Sequence, residues 1–416
     1  MQQTLLKPGK VSALGQLWVE RLDNFQQNQA SFFAEKFSLS EALARILVSR
    51  NIDEEGVDAY LTPTLRQLLP DPLTFKDMKK AASYLAEAII KQKKIAIWGD
   101  YDVDGACASA ILYKFLAFFS VPAMIYIPDR LREGYGPNAT GITQLVEQGA
   151  QLIVAVDCGS TSEEASLAAK NLGVDMIAID HHQAAQISPS LKACVNPNRA
   201  DDLSGYGYLC ATAVLFITLI QVRHYLDKNG KKTPELLSYL DYVALATICD
   251  SMPLIGVNRA FVKQGVKIAQ RLHSIGLTAL ARARSIDSPL NTYHLGYILG
   301  PCLNASGRIG NCHLASELLI CNDTKRAEEI ACHLVELNKQ RQDLEQLYLL
   351  QAKTQIEEKF KNTAVPEVLV LAYKDWHQGL VGLLAGRLKE LYNKITFVFS
   401  IGDDGNLVGS CLLYTS

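Results

Sequence analysis

Eight side chains of types that hold metal ions stand in groups where apolar runs end in this 416-residue chain. In Trp98-Gly99-Asp100-Tyr101-Asp102-Val103-Asp104-Gly105, three carboxylates occupy alternate positions. They follow Ile95-Ala96-Ile97, which reads as a buried parallel strand, and precede a helical pattern from Ala106 to Phe119. Carboxylates so close together repel unless a cation neutralises them. The crevice after a strand is also where open α/β sheets bind ligands. The arrangement recurs. Leu152 to Val156 ends in Asp157-Cys158-Gly159-Ser160, and Met176 to Ile179 ends in Asp180-His181-His182. The apolar stretch from Val243 to Cys249 ends in Asp250. A solvated acidic turn would account for one of these. Four such ends together point to divalent metal ions.

The elements that must position these groups are legible from periodicity. From about 80 to 200, strand and helix patterns alternate, which predicts a parallel sheet with helices on both faces. Residues 205 to 300 read as mostly helical, including Ala211 to Tyr225 and Pro234 to Thr247. Residues 324 to 360 form a long charged helical pattern without Gly or Pro. As one helix it would span about 55 Å at 1.5 Å per residue, and its place between two sheet-type segments makes it a connector. A second α/β unit follows: a strand from Glu367 to Ala372, a helix from Gly379 to Leu391 and a strand from Ile395 to Phe399. At the N-terminus, helical patterns near 15–35 and 39–49 precede a Pro-punctuated stretch from Thr62 to Pro72.

Composition narrows the classes. Hydrophobic residues make up 49% and mean hydropathy is +0.06, as expected of a globular protein with a sizeable core. The net charge of −2 excludes a generally basic nucleic-acid binder, so any DNA contact needs a local basic patch and metals. Ten cysteines are scattered without a C-x-x-C pair. Cys107, Cys158, Cys249 and Cys332 read as reduced core residues of a cytosolic protein. No signal sequence is visible, and the apolar run from Cys210 to Val222 is too short for a membrane span. No G-x-G-x-x-G or Walker loop follows a strand, which argues against an ordinary nucleotide-binding enzyme.

The segments D-Y-D-V-D-G, V-D-C-G-S, I-D-H-H and A-T-I-C-D-S-M-P-L, in that order, resemble those of the DHH phosphoesterase superfamily. Within it the chain is most similar to the bacterial single-strand-specific exonuclease branch. R-E-G-Y-G (132–136), N-P-N (196–198), G-P-C-L-N-A-S-G-R (300–308), L-N-K-Q-R (337–341) and W-H-Q-G-L-V-G (376–382) extend the resemblance from about residue 60 to about 410.

The resemblance implies a two-metal 5′-to-3′ exonuclease that degrades single-stranded DNA to mononucleotides in repair and recombination. Asp157 would bridge the ions. Asp102, assisted by Asp100, would serve one ion, and Asp104, His181 and Asp250 the other. Mixed oxygen and imidazole ligation favours Mn²⁺, with Mg²⁺ as a substitute. His182 would contact the scissile phosphate or protonate the leaving oxygen; its alternative role is to orient Asp180 or His181. Asn304 and Arg308 would grip phosphates, joined by Arg130, Arg132, His377 and Ser410, with Tyr135 stacking on a base. Trp376 is either a cleft residue or a buried core residue. The expected partners are single-stranded DNA, a single-strand-binding protein and a helicase, for a monomer in the bacterial cytoplasm without membrane attachment.

The expected fold is α/β, a parallel-sheet DHH domain joined by a long helix to a smaller, incomplete α/β domain of DHHA1 type. The expected layout is an N-terminal helical and irregular extension (1–79), the DHH domain with its metal site (80–300), a phosphate-binding turn and helix (301–323), the connector (324–360) and the truncated substrate-binding domain (361–416), without an OB-fold. The chain departs from the family at three positions. Trp98 stands where many members outside the nuclease branch have a His ligand, Cys302 where Arg is usual, and Leu412 where an Arg of a phosphate loop is expected. The last unit is therefore expected to lack a closing strand. Two alternatives are a phosphodiesterase for short oligonucleotides or cyclic dinucleotides, and a truncated inactive DNA-binding form.

Overall fold

The computed structural model describes residues 11, 17, 19–129, 133–361, 363–402 and 405–413. The chain divides into two units: 1–69 with 255–260, and 70–254 with 261–416. In the first, helices Asn24–Lys36, Glu41–Ser49 and Gly56–Leu61 enclose a small core of Phe33, Leu47, Val48, Val57 and Tyr60. The first helix starts at Asn24, later than the pattern near 15 suggests, because Asp23 and Gln26 form a capping box there.

The second unit is built on five parallel strands: β1 (Ile95–Trp98), β2 (Ala123–Tyr126), β3 (Leu152–Val156), β4 (Asp175–Ile179) and β5 (Ala193–Val195). They lie in the order β2-β1-β3-β4-β5. Chain order reverses between β1 and β3, which opens a crevice at their carboxyl ends. Val156 pairs with Ile179, so Asp157 and Asp180 leave neighbouring strands side by side.

Both sheet faces are covered, which is why β1 and β3 read as unbroken apolar runs. On one face Ala96, Trp98, Ile153, Ala155, Met176 and Ala178 pack against helices Ala139–Glu147 and Glu163–Asn171. The other face carries helices Met78–Ile90, Val103–Phe118 and Ala211–Lys228. Val103–Phe118 is apolar almost all round, as a helix buried between a sheet and a second helical layer must be. That layer includes Leu240–Cys249.

The predicted connector is a single 36-residue helix, Thr324–Lys359. Its first half buries Ala327, Ile330, Ala331, Leu334 and Leu337 at helical spacing. Its second half offers Tyr348, Ala352 and Ile356 to a separate core with Leu369, Leu371, Trp376, Leu384 and Val398. That core belongs to β6 (Val368–Tyr373), helix Val381–Tyr392, β7 (Ile395–Ile401) and β8 (Leu407–Leu412). The expectation of a missing closing strand is corrected here. Leu407–Leu412 pairs antiparallel with β7, opposite the parallel β6, because its alternating residues match the β7 register from Ile401↔Leu407 to Thr396↔Leu412.

Candidate metal centre

Asp102 is the N-cap of helix Val103–Phe118 and accepts the backbone N–H groups of Asp104 (2.8 Å) and Gly105 (3.0 Å). A Cβ at Gly105 would lie within 2.7 Å of the Asp100 backbone, so the loop folds back over the helix start only with glycine there. Asp104 is the second residue of that helix. Its two oxygens accept the N–H groups of Ala211 (2.6 Å) and Thr212 (2.8 Å). These open helix Ala211–Lys228, whose N-terminal dipole favours the anion. The Thr212 hydroxyl donates to the Asp104 carbonyl at 2.9 Å.

Asp157 follows β3 with a left-handed backbone, φ +64°, a conformation that Asp tolerates better than most residues. His181 Nε2 faces three carboxylate oxygens: Asp157 Oδ1 at 3.3 Å, Asp250 Oδ2 at 3.6 Å and Asp104 Oδ2 at 3.8 Å. Asp157 Oδ1 and Asp250 Oδ2 are buried, and no hydrogen-bond donor among the described residues meets them. Asp250 caps the C-terminal end of Leu240–Cys249. Three overlapping sets offer ligand atoms within 4.8 Å of one another: Asp104, His181 and Asp250; Asp100, Asp102 and Asp157; and Asp157, His181 and His182.

The electrostatics fit a cation. Burial, then the charges of Asp104 and Asp102, push the Asp157 carboxyl well up. Burial and Asp104 raise that of Asp102. Burial, Asp104 and Asp102 push Asp250 up to about 7. Carboxylates that resist ionisation in each other's company, with buried oxygens lacking donors, are what a divalent ion satisfies.

Asp180 is ionised instead. Burial opposes its charge, but the hydrogen bond and charge of the His182 ring and the Ser160 side chain prevail, and its carboxyl is held at about 2. It accepts the backbone N–H groups of Ser160 (3.1 Å), His181 (2.7 Å) and His182 (3.2 Å), and faces His182 Nδ1 at 2.8 Å. The Asp180 hydrogen bond in turn raises the pKa of the half-exposed His182. Behind them, Asn196 Nδ2 donates to the His182 carbonyl (2.9 Å) and Asn198 Nδ2 to the His181 carbonyl (2.6 Å). The N-P-N segment thus clamps the Asp-His-His backbone.

The expected substrate residues fare unequally. Arg130 and Arg132 lie outside the described residues. Tyr135 is exposed, with its hydroxyl 3.1 Å from His182 Nε2. Asn304 Oδ1 accepts the Val103 N–H at 3.1 Å, so its oxygen helps cap the metal-site helix. Arg308 donates from Nη1 to the Gly379 carbonyl at 3.4 Å. Gly379 is packed so tightly on the Arg308 carbonyl that it has no room for a Cβ. His377 is half-buried, and its Nδ1 accepts the Gly379 N–H at 3.1 Å. Ser410 lies on β8 beside Gly382. Trp376 is a core residue, its indole N–H bonded to Gln351 Oε1 at 2.9 Å. Trp98 is fully buried against Tyr126 on the sheet face away from helix Val103–Phe118, far too apolar a place for a ligand. All ten cysteines are free; Cys332 is exposed on the long helix, which corrects its reading as a core residue. Sequence reasoning missed Ala211 and Thr212, which carry no ionisable group, and the hub role of Asp180.

The family model described as "DHH family, N-terminal domain" matches residues 94–247. The chain is 32% identical over 380 residues to the single-stranded-DNA-specific exonuclease RecJ of Bacillus subtilis, covering 91% of this chain and 47% of that protein. It is 33% identical over 344 residues to that of Escherichia coli, covering 80% and 59%. Among solved structures, exonuclease RecJ bound to manganese matches with a TM-score of 0.69 at 31% identity over 80% of each chain. RecJ of Thermus thermophilus in complex with Mn²⁺ matches with a TM-score of 0.75 at 27% identity, over 92% of this chain and 53% of that one. The chain spans about half to two thirds of the length of the curated relatives it matches. A sheet that delivers its acidic loops to one crevice, the Asp-His-His turn and these likenesses agree: the chain belongs to the DHH family, in its RecJ branch.

Proposed function

We propose that this chain is a metal-dependent 5′-to-3′ exonuclease that releases mononucleotides from single-stranded DNA. The observation that supports it most is Asp157, a buried carboxylate shared by two candidate ligand sets, with an oxygen that no donor among the described residues meets. Asp104, His181 and Asp250 would hold one Mn²⁺, Asp100 and Asp102 the other, and Asp157 both, with Mg²⁺ as a substitute. Two bound divalent ions polarise a phosphate and make a water acidic enough to attack at neutral pH. His182, whose charged form the Asp180 hydrogen bond favours, would give a proton to the leaving oxygen. Asn304, Arg308, His377 and Ser410, with Arg130, Arg132 and Tyr135, would hold the strand. The layout that goes with this reading is an extension to residue 79, a DHH domain to 300, a phosphate-binding segment to 323, a connector to 360 and a substrate-binding domain beyond. The bacterial relatives support a bacterial setting, and the reading that goes with it is a cytoplasmic monomer serving repair and recombination beside a single-strand-binding protein and a helicase. Among the described residues no helix is long and apolar enough to cross a membrane.

The test is Mn²⁺-dependent release of mononucleotides from a 5′-phosphorylated single strand, beside a matched duplex. Asp157→Asn is the control, since Asn also accepts a left-handed backbone. Release from the single strand alone, reduced at least about a hundredfold by the substitution, is expected. Hydrolysis of dinucleotides with no attack on longer strands would favour a small-substrate phosphodiesterase instead.

A further inference from the structure

The helix that carries Asn304 and Arg308 begins well before them. Residues 294–299 are wound as a π-helix that runs without a break into Gly300–Ile309. Such wide turns re-aim the residues of a helix and recur at functional sites. Here the buried side is set by Leu295, Leu299, Gly300, Cys302, Leu303, Ala305, Ser306 and Gly307. Gly296 and Gly300 press on Ile248 and Cys249, just before Asp250, and Gly307 presses on Tyr101.

Away from the buried side runs a stripe at helical spacing, Tyr293, Tyr297, Pro301, Asn304 and Arg308, of which the tyrosines are exposed and the other three partly buried. It starts with two large apolar rings in water. Tyr293 is 61% and Tyr297 75% exposed. Their rings stack on each other, centroids 5.4 Å apart and planes 22° apart. Neither ring is in a core cluster of the described residues. The stripe ends at Asn304, whose side chain touches the metal-site helix, and at Arg308. From Tyr297 to Arg308 the helix rises about 16 Å, the reach of a few nucleotides.

We infer that Tyr293 and Tyr297 form a stacking platform for the bases of an unpaired DNA strand whose backbone is held further along the same helix at Asn304 and Arg308. This rests on the nuclease reading and adds to it a strand path outside the metal centre. Aromatic faces stack on any base, so the platform binds without sequence preference, and the paired bases of a duplex are not offered to it. Tyr supplies a large rigid surface at little entropic cost, which explains why such exposed rings are tolerated. The chain's net charge of −2 leaves little general attraction for DNA, which gives stacking a larger share of affinity.

The test is equilibrium binding of a fluorescent eight-nucleotide oligothymidylate and of the same backbone with abasic sites, by anisotropy at two salt concentrations. Wild-type protein is compared with the doubly substituted Tyr293→Ala, Tyr297→Ala chain and with Tyr293→Phe, Tyr297→Phe. Thermal melts confirm that each is folded. The wild type should bind the base-bearing strand about tenfold or more tighter than the abasic one. The alanine variant should lose that preference, with its salt dependence unchanged, and the phenylalanine variant should keep it. An alanine variant that still prefers the base-bearing strand, or a wild type that binds both strands alike, overturns the inference. A wild type that shows the tyrosine-dependent preference but hydrolyses nothing would leave the platform standing and refute the nuclease reading.

Discussion

A histidine beside a candidate metal ligand can itself be a ligand or can handle protons, and Asp180 sets His182 apart from His181. Its carboxylate takes three backbone N–H groups and the Nδ1 side of His182, which fixes the ring and favours its charged form. His181 has no such partner and turns Nε2 to three carboxylates. His182→Ala should lower kcat about 10²- to 10⁴-fold while leaving Mn²⁺ binding intact, read by steady-state kinetics beside metal titration. Asp180→Asn removes the charge and one of the two acceptor oxygens, such as the one that meets the Ser160 N–H, and should lower kcat about 10- to 100-fold. Loss of metal binding in His182→Ala would make His182 a ligand, the role its grouping with Asp157 and His181 also allows.

Helices do at the scale of elements what these side chains do locally. Two helix N-termini converge on the first acidic loop: Val103–Phe118 starts at Asp102, and Ala211–Lys228 starts on the Asp104 carboxylate. The helix Leu240–Cys249 brings Asp250 at one end and buries Asp241 at the other. Burial pushes the Asp241 carboxyl up to about 6, with the Tyr242 N–H and Lys114 opposing. In the unfolded chain a carboxyl of this type titrates near 3.9. The folded state therefore holds that proton more tightly, and the group's contribution to stability grows as pH falls from about 6 to about 4. The unfolding free energy of the wild type relative to Asp241→Asn should rise by about 2 to 3 kcal/mol between pH 7 and pH 4. Chemical denaturation at the two pH values checks this, and a constant difference would contradict it.

In the molecule as a whole, the proposed ligand set ties together segments far apart in sequence. Asp102 and Asp104 follow β1, Asp157 follows β3, His181 follows β4, and Asp250 ends a helix. Without a cation these carboxylates repel across that junction, so metal binding is also folding free energy. Mn²⁺ at about a hundred times its dissociation constant should stabilise the wild type by about 2.7 kcal/mol. Calorimetry should show a rise in Tm that Asp157→Asn loses. An equal rise in the variant would mean that the ions bind elsewhere. The long helix sets the other large-scale relation: its second half is part of the core of the β6–β8 unit, while Gly379 of that unit rests on the end of the helix that bears Arg308.

The sequence by itself determined the parallel strands, the long helix and the family, because apolar runs, a stretch without Gly or Pro, and short acidic motifs are local signals. It also placed Asp100, Asp102, Asp104, Asp157, His181 and Asp250 at element ends, where periodicity changes. Tertiary structure alone decided what those ends do together. Nothing near Asp104 announces that its oxygens will be met by Ala211 and Thr212, more than a hundred residues later. Nothing near Asp157 or Asp250 shows that their buried oxygens will lack donors among the described residues. The sequence also left Trp376 open between cleft and core, and side-chain burial settled it as core. Leu407–Leu412 became a strand because β7 offered it a matching edge. The tyrosine stripe was invisible for a related reason. A π-turn shifts helical phase, and only the packing of Gly296, Gly300 and Gly307 against their neighbours shows which side of the helix is left to solvent. Local pattern sets which elements form; which atoms are left unsatisfied, and which faces uncovered, depends on contacts between elements distant in the chain.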